Sequence, residues 1–248
     1  MSASSKLWRF AKWIAINGDV PRYESAYANL EAYFRATRDP WHFERDRYNV
    51  RRFDAIVDAV QRVPHRSILD VGCAEGHLTR RLCGLAESVS AIDVSATAVA
   101  RAREAAPRAT ALNVSLEDAS FPEKFDVVVC AETIYYPRHP VDVVKKLNSL
   151  GHFILVSYTS VERDRLDSVL SKIPTLYDAS CRYFRLFNAA RIVNWQRSRV
   201  IVWWSGALVD RVFEQMHAAW LEEQSSGLRR FLPDEWPARS LGGIRWLG

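Results

Sequence analysis

The feature that most constrains this chain is the stretch SILDVGCAEGHLTRRL, from Ser67 to Leu82. A short apolar run carrying one acid, Ile68-Leu69-Asp70-Val71, leads into a tight turn built on Gly72, Ala74 and Gly76. A segment with helical spacing follows, Leu78 to Leu82. Strand, small-residue loop, helix is the first βα unit of a nucleotide-binding sheet. Small residues let the backbone approach a ligand closely, and the unsatisfied N–H groups at a helix start are donors. The spacing D-x-G-x-A-x-G differs from the G-x-G-x-x-G of dinucleotide enzymes.

With Asp70 read at the strand end, a pyrophosphate would be repelled, whereas a ligand carrying an ammonium and a sulfonium would not. About 20 residues on, where a ribose-binding acid is expected, a second apolar run, SVSAIDV, ends in Asp93. A carboxylate at a strand tip accepts two hydroxyls at once. The two signals together point to an S-adenosylmethionine site.

The flanking chain fits this frame. Tyr23, Tyr27, Leu30 and Phe34 recur at helical intervals and predict a helix over Tyr23 to Arg35. Asp39 before Pro40 breaks it, and the next helix is expected from about Arg45 to Val63, with Phe53, Ile56, Val57 and Val60 inward. SATAVARAREAA reads as a helix with Ser95 as its N-cap, and TALNVSLED as a third strand and turn. Phe125 to Cys130 is β-branched and almost uninterrupted, the pattern of a buried parallel strand. VDVVKKLNSL, GHFILVSYT and VERDRLDSVLSKI continue as helix, strand and helix. RYFRLFNAARIVNW and SRVIVWWSG read as an antiparallel strand pair closing the sheet, followed by a helix near Ala207 to Glu223 and an irregular tail. The expected fold is α/β: a doubly wound, Rossmann-like, seven-stranded, mostly parallel sheet with an N-terminal helical lid and a C-terminal extension.

The segments ILDVGCAEGHLTRRL, SAIDVSATAVARAR and KFDVVVCAETIYY resemble, in order and spacing, the cofactor motifs of class I methyltransferases. DPWHFERDRYNVRR and ETIYY resemble more narrowly the NodS-like branch, nodulation-factor N-methyltransferases that modify an amine on a chitooligosaccharide. Alanine at position 74 stands where the loop usually has its middle glycine. The resemblance implies a division into N-terminal helices and lid (1–63), a methyltransferase core (64–205) and a C-terminal helix and tail (206–248). It implies S-adenosylmethionine as cofactor, held by Asp70, Gly72, Ala74, Gly76, Asp93 and Val94, with Cys130 at the end of the fourth strand. It makes Arg51 or Arg52 a clamp for the cofactor carboxylate, with Tyr48 nearby. The adenine contact aligns with Ser115, where the family commonly has aspartate, with Leu116 and Glu117 beside the ring and Asn113 as the alternative.

Ligands of open α/β sheets bind beyond the carboxyl ends of the strands. The residues after Cys130, namely Glu132, Tyr135, Tyr136 and His139, are therefore the catalytic candidates. Glu132 is read either as a general base or as a brace for its loop, and His139 as an alternative base. The tyrosines would stack on or orient an acceptor.

Composition narrows the partners. The cysteines Cys73, Cys83, Cys130 and Cys181 show no metal spacing and no disulfide framework, so no metal is expected and a reducing cytoplasm is. No apolar run is long enough for a membrane span. LWRFAKWIAI, Leu7 to Ile16, is interrupted by Arg9 and Lys12 and suits packing against its own domain or a second copy in a homodimer. The net charge of +5 and the pI of about 9.1 are mildly basic. The expected activity is methyl transfer to nitrogen or oxygen of a saccharide or other small-molecule acceptor. RNA methylation is the first alternative, and a non-catalytic cofactor-binding subunit of a partner enzyme is the second.

Overall fold

The computed structural model describes residues 23–134, 140–159, 163–187, 192–207 and 210–225. The aromatic N-terminal segment, the candidates Tyr135, Tyr136 and His139, and the tail beyond 225 lie outside these residues. Two helices, α1 (Tyr23–Ala36) and α2 (Arg47–Val60), precede the first strand. The alternating core then runs β1 (Ser67–Val71), α3 (His77–Leu82), β2 (Ser88–Asp93), α4 (Ala96–Ala105), β3 (Thr110–Asn113) and β4 (Phe125–Ala131). It continues through α5 (Pro140–Leu150), β5 (Gly151–Thr159), α6 (Arg163–Leu170), β6 (Tyr177–Phe187), β7 (Ile192–Trp204) and α7 (Asp210–Ser225).

The seven strands lie in the order β3-β2-β1-β4-β5-β7-β6. β1 to β5 are mutually parallel, whereas β7 runs antiparallel to both β5 and β6. The order reverses direction between β1 and β4, the switch point at which such sheets open a crevice.

Alternation along the buried strands sorts the core into two layers. Val128 and Cys130 of β4 join Leu69, Ile154, Val156, Ile201 and Trp203 beneath α5, α6 and α7. Val127 and Val129 join Ile68, Leu155, Val200 and Val202 beneath Phe53 and Ile56 of α2 and Leu78 and Leu82 of α3. Both layers are closed, so the strands read as unbroken apolar runs instead of alternating ones. α4 approaches through small residues, Val99 and Ala102 on Ala91 and Ala111. Among the described residues, no helix is long and apolar enough to cross a membrane.

Two sequence expectations shift. Val57 of α2 is only half-buried, and Ala59 takes the inward position beside Val60. The closing strand pair is divided elsewhere than expected. β6 begins at Tyr177 and stops at Phe187, while β7 runs unbroken through Trp195-Gln196-Arg197. Gln196 and Arg197, which lie between the two expected strands, instead pair with Tyr183 and Arg182 in the ladder.

Candidate cofactor and acceptor site

The loop after β1 takes its shape from three left-handed residues: Gly72 at φ 73°, Ala74 at φ 48° and Gly76 at φ 81°. A Cβ on Gly72 would run into the Thr133 side chain, and one on Gly76 would lie 2.9 Å from the Ala102 Cα of α4. The first glycine therefore admits the loop after β4, and the last admits close packing of α3 on α4. Alanine at 74 accepts a conformation that costs an L-residue about 1–2 kcal/mol. Its N–H is held there by the Asp93 carboxylate at 2.9 Å.

Asp93, at the tip of β2, accepts from the Ala74 N–H on one oxygen and from the Ser95 N–H on the other, each at 2.9 Å. Burial raises its pKa, opposed by those backbone bonds. Each oxygen keeps a further lone pair for a hydroxyl donor. Ser95 caps α4, accepting from the Ala98 N–H at 3.0 Å. Val94 is half-buried and packs with Ala74, Trp41, Leu30 and Phe34, an apolar wall that the lid shares with the loop.

Asp70 is placed differently from its sequence reading. It does not face the loop mouth. It is 1% exposed, beneath the loop, and accepts from the Thr79 hydroxyl of α3 at 2.6 Å. Burial pushes its carboxyl up to about 7, the Thr79 bond pulling against it and nearby Asp93 adding to it.

The lid is tied down by carboxylates that sequence reasoning missed. Glu31 of α1 accepts from the Ser95 hydroxyl at 2.6 Å, the Thr97 hydroxyl at 2.7 Å and the Thr97 N–H at 3.1 Å. These bonds, the Ser95 one foremost, hold its pKa down at about 2. Glu75 of the loop accepts from the Asp39 N–H at 2.6 Å and pairs with Arg101 at 2.5 Å. The His77 ring lies beside them, 3.7 Å from Glu75 and 3.8 Å from Asp39. Asp39 itself is left-handed at φ 45°, which turns the chain after α1.

Of the two clamp candidates, Arg51 is exposed and Arg52 is 4% exposed. The Arg52 guanidinium lies over the rings of Phe43, Tyr48 and Phe53 at 5.7, 5.4 and 5.3 Å and reaches Glu132 at 3.7 Å. Glu132 adopts φ 57° immediately after β4. Its N–H donates to the Ser157 carbonyl at 2.8 Å, and its carboxylate accepts from the Ser157 hydroxyl at 3.1 Å. Arg52, Glu132 and Ser157 thus join α2 to the carboxyl ends of β4 and β5.

In the turn after β3, the Ser115 hydroxyl donates to Asp118 at 2.7 Å and accepts the Asp118 N–H. The Asn113 amide donates to the carbonyls of Asp93 and Val94 at 3.0 and 2.9 Å. Glu117 is exposed. Leu116 packs into the core with Ala119, and Cys130 is wholly enclosed in the sheet, where burial drives its thiol pKa up.

A family model described as nodulation protein S (NodS) matches residues 28–161. The chain belongs to the NodS family. The match takes in the lid, the glycine loop, Asp93 and Glu132, and it ends between β5 and α6. The nodulation protein S of Azorhizobium caulinodans is 28% identical over 132 residues, covering 48% of this chain and 63% of that relative, so the chain matches less than two thirds of its length. A tRNA U34 carboxymethyltransferase of Vibrio campbellii is 25% identical over 258 residues, covering 93% of this chain and 76% of that one. The N-methyltransferase NodS of Bradyrhizobium japonicum WM9, solved in complex with S-adenosyl-L-homocysteine, superposes with a TM-score of 0.57. That likeness is at 18% identity and covers 71% of this chain and 97% of that one, and it shows the shared fold.

Proposed function

We propose that this NodS-family chain is an S-adenosylmethionine-dependent methyltransferase acting on nitrogen or oxygen of a saccharide or other small-molecule acceptor. The observation that carries the reading is the Ala74–Asp93 contact, which holds a loop with three left-handed residues against the strand tip that carries the ribose-binding acid. The residues fit the cofactor: a buried carboxylate with lone pairs to spare at Asp93, and an apolar wall at Val94 and Trp41. Asp93 would take the ribose hydroxyls, the Gly72–Gly76 backbone the methionine side, and the Ser115 turn the adenine edge. When bound, S-adenosylmethionine supplies an electrophilic methyl on a positively charged sulfur.

The chain's own residues then have a positioning task, because the leaving group is already good and alignment dominates the rate. Tyr48 and Arg52 close the methyl edge from the lid. Glu132, already engaged by Arg52 and Ser157, acts as a brace that sets the loop after β4, not as the base. Tyr135, Tyr136 and His139 follow it and are assigned to the acceptor, with His139 the remaining base for an ammonium or hydroxyl proton.

Calorimetry with S-adenosylhomocysteine and with NAD tests the cofactor: binding of the first and not the second is expected, and the reverse overturns the reading. Glu132→Gln tests the brace. Cofactor affinity and turnover should fall together, whereas a loss of about 10²-fold confined to turnover would make Glu132 the base. His139→Ala, assayed alongside, should lose turnover alone.

A second acceptor reading, RNA, has its own support. The tRNA-modifying relative aligns over 93% of this chain and so continues well beyond residue 161, where the NodS match stops.

A further inference from the structure

The lid meets the glycine loop at three side chains to which methyl transfer gives no task. Asp39 lies at the left-handed turn after α1, Glu75 lies inside the loop, and His77 is the first residue of α3. One donor atom from each stands within 4.8 Å of the other two. The Asp39 N–H donates to Glu75 Oε2 at 2.6 Å, which draws the two carboxylates together across the seam. The Glu75 side chain is 7% exposed and that of His77 12%. His77 Nε2 is itself buried and has no hydrogen-bond partner. A buried polar atom left in that state costs about 1–3 kcal/mol.

The distances say what the atom awaits. Nε2 stands 3.8 Å from Asp39 Oδ1 and 3.7 Å from Glu75 Oε2, too far for a hydrogen bond to either. Two donors each held ~2.1 Å from one ion stand about 3.4 Å apart in a tetrahedron, and further apart as the set flattens. On the other side of the ring, Nδ1 faces Glu44 Oε1 at 3.7 Å. A carboxylate behind an imidazole keeps the proton on Nδ1 and leaves Nε2 bare for a metal. The Phe43 N–H holds Asp39 Oδ1 at 2.7 Å, and its ring lies 5.8 Å from that of His77. Arg101 takes the other Glu75 oxygen, Oε1, at 2.5 Å, so Oε2 keeps a lone pair beside its bond to the Asp39 N–H. Three carboxylates thus meet one guanidinium, a twofold negative excess that a dication offsets. One imidazole with two carboxylates suits zinc better than magnesium or calcium, which prefer oxygen alone. None of the donors is a cysteine, so the cysteine spacing that argues against a metal does not bear on them.

We propose that Asp39, Glu75 and His77 form a site for a divalent transition-metal ion, zinc by its donor set, that joins the lid to the glycine loop. Asp39 ligates from the lid, Glu75 and His77 ligate from the loop and the start of α3, and water takes the fourth position. Glu44 is a positioning residue that orients the His77 ring. The ion is structural, and its binding is independent of which acceptor is methylated.

The test titrates the full chain, stripped with a chelator and dialysed, with zinc chloride in a calorimeter. One zinc per chain is expected, and magnesium chloride should give no binding heat. His77→Gln should weaken zinc binding by about a hundredfold or more, since the nitrogen ligand is lost. Asp39→Asn keeps an oxygen for the Phe43 N–H and tolerates the left-handed turn, and it should lose about tenfold or more. Glu44→Gln alters an exposed side chain and should cost about 10–100-fold. The control His152→Gln changes an exposed histidine of β5 and should bind as the wild type does. Zinc should raise the melting temperature of the wild type and leave that of His77→Gln unchanged. A cooperative melt in metal-free buffer shows that each variant is folded. No zinc binding by the wild type, full affinity in His77→Gln, or equal losses in His77→Gln and His152→Gln would overturn the site. Full affinity in Asp39→Asn would overturn the joining of lid to loop. Should His77→Gln fail to fold, full zinc affinity in Glu44→Gln overturns the site in its place.

Discussion

On the β1–β2 side of the site, carboxylates accept backbone N–H groups. Asp93 holds Ala74 and Ser95, Glu75 holds Asp39, and Glu31 holds Thr97. On the β4–β5 side, the Glu132 carboxylate meets the Arg52 guanidinium and the Ser157 hydroxyl. A carboxylate bonded to backbone fixes the path of the chain, so removing it moves the loop itself. A carboxylate bonded to a buried cation fixes a charge, so removing the cation leaves the charge without an offset. The β1–β2 edge is therefore built to keep its shape, and the β4–β5 edge to keep its electrostatic balance.

Arg52→Ala should give the largest effect. It strips a buried guanidinium from three rings and from Glu132, at a cost of about 3 kcal/mol in urea unfolding, whereas Arg51→Ala should stay within about 0.5 kcal/mol. Equal losses in the two variants would break the contrast between the edges. Asp93→Ala should weaken S-adenosylhomocysteine binding by about 1–3 kcal/mol, measured by calorimetry, because the ribose acceptor is lost and Ala74 is released from its left-handed turn. Unchanged affinity would take Asp93 out of the site.

Asp70→Asn sharpens the comparison through pH. The folded carboxyl titrates at about 7 against an ordinary 3.8. Between those values the folded state keeps a proton that the unfolded chain has released, so stability falls as pH rises through this window. The asparagine variant does not titrate. Its melting temperature should gain on the wild type from pH 5 to pH 8, by an equivalent of about 2–3 kcal/mol. A constant gap would mean that Asp70 is ionised throughout. The smallest effect belongs to Glu31→Gln, about 0.5–1 kcal/mol at pH 7, from loss of the charged acceptor at the start of α4. Glu31 is held at about 2 against 4.5, so its contribution is present above the ordinary value and disappears as pH falls through the folded one. The gap in melting temperature should therefore narrow from pH 5 to pH 3.

Much of this was legible in the chain because it is local. The run Ile68 to Val71, the small residues at 72, 74 and 76 and the Asp93 tip each carry their meaning within a few positions, and strand order follows from such units. What the sequence hid was depth. Asp70 pairs with Ala91 and so shares a face with Asp93, but it sits two residues further back, beneath the Thr79 hydroxyl of α3, while Asp93 holds the strand tip beside Ala74. Leu116 folds from the turn after β3 into the core, and Cys130 pairs with Val71 inside the sheet, on the face opposite to Asp70. Arg51 and Arg52 differ by one step on a helix, and only the packing of α2 on the sheet selects between them. Glu31 was invisible for another reason: the N-cap residue it holds, Ser95, lies 64 residues later.

Asp70 also makes the site a proton exchanger. A carboxyl titrating at about 7 shares its proton with solvent in nearly even proportion at neutral pH. A ligand that brings a sulfonium and an ammonium above the loop favours the ionised form, so occupancy expels the proton into the buffer. The heat of binding should then depend on the buffer's own ionisation enthalpy, differing between Tris and phosphate at the same pH. In Asp70→Asn that difference should vanish.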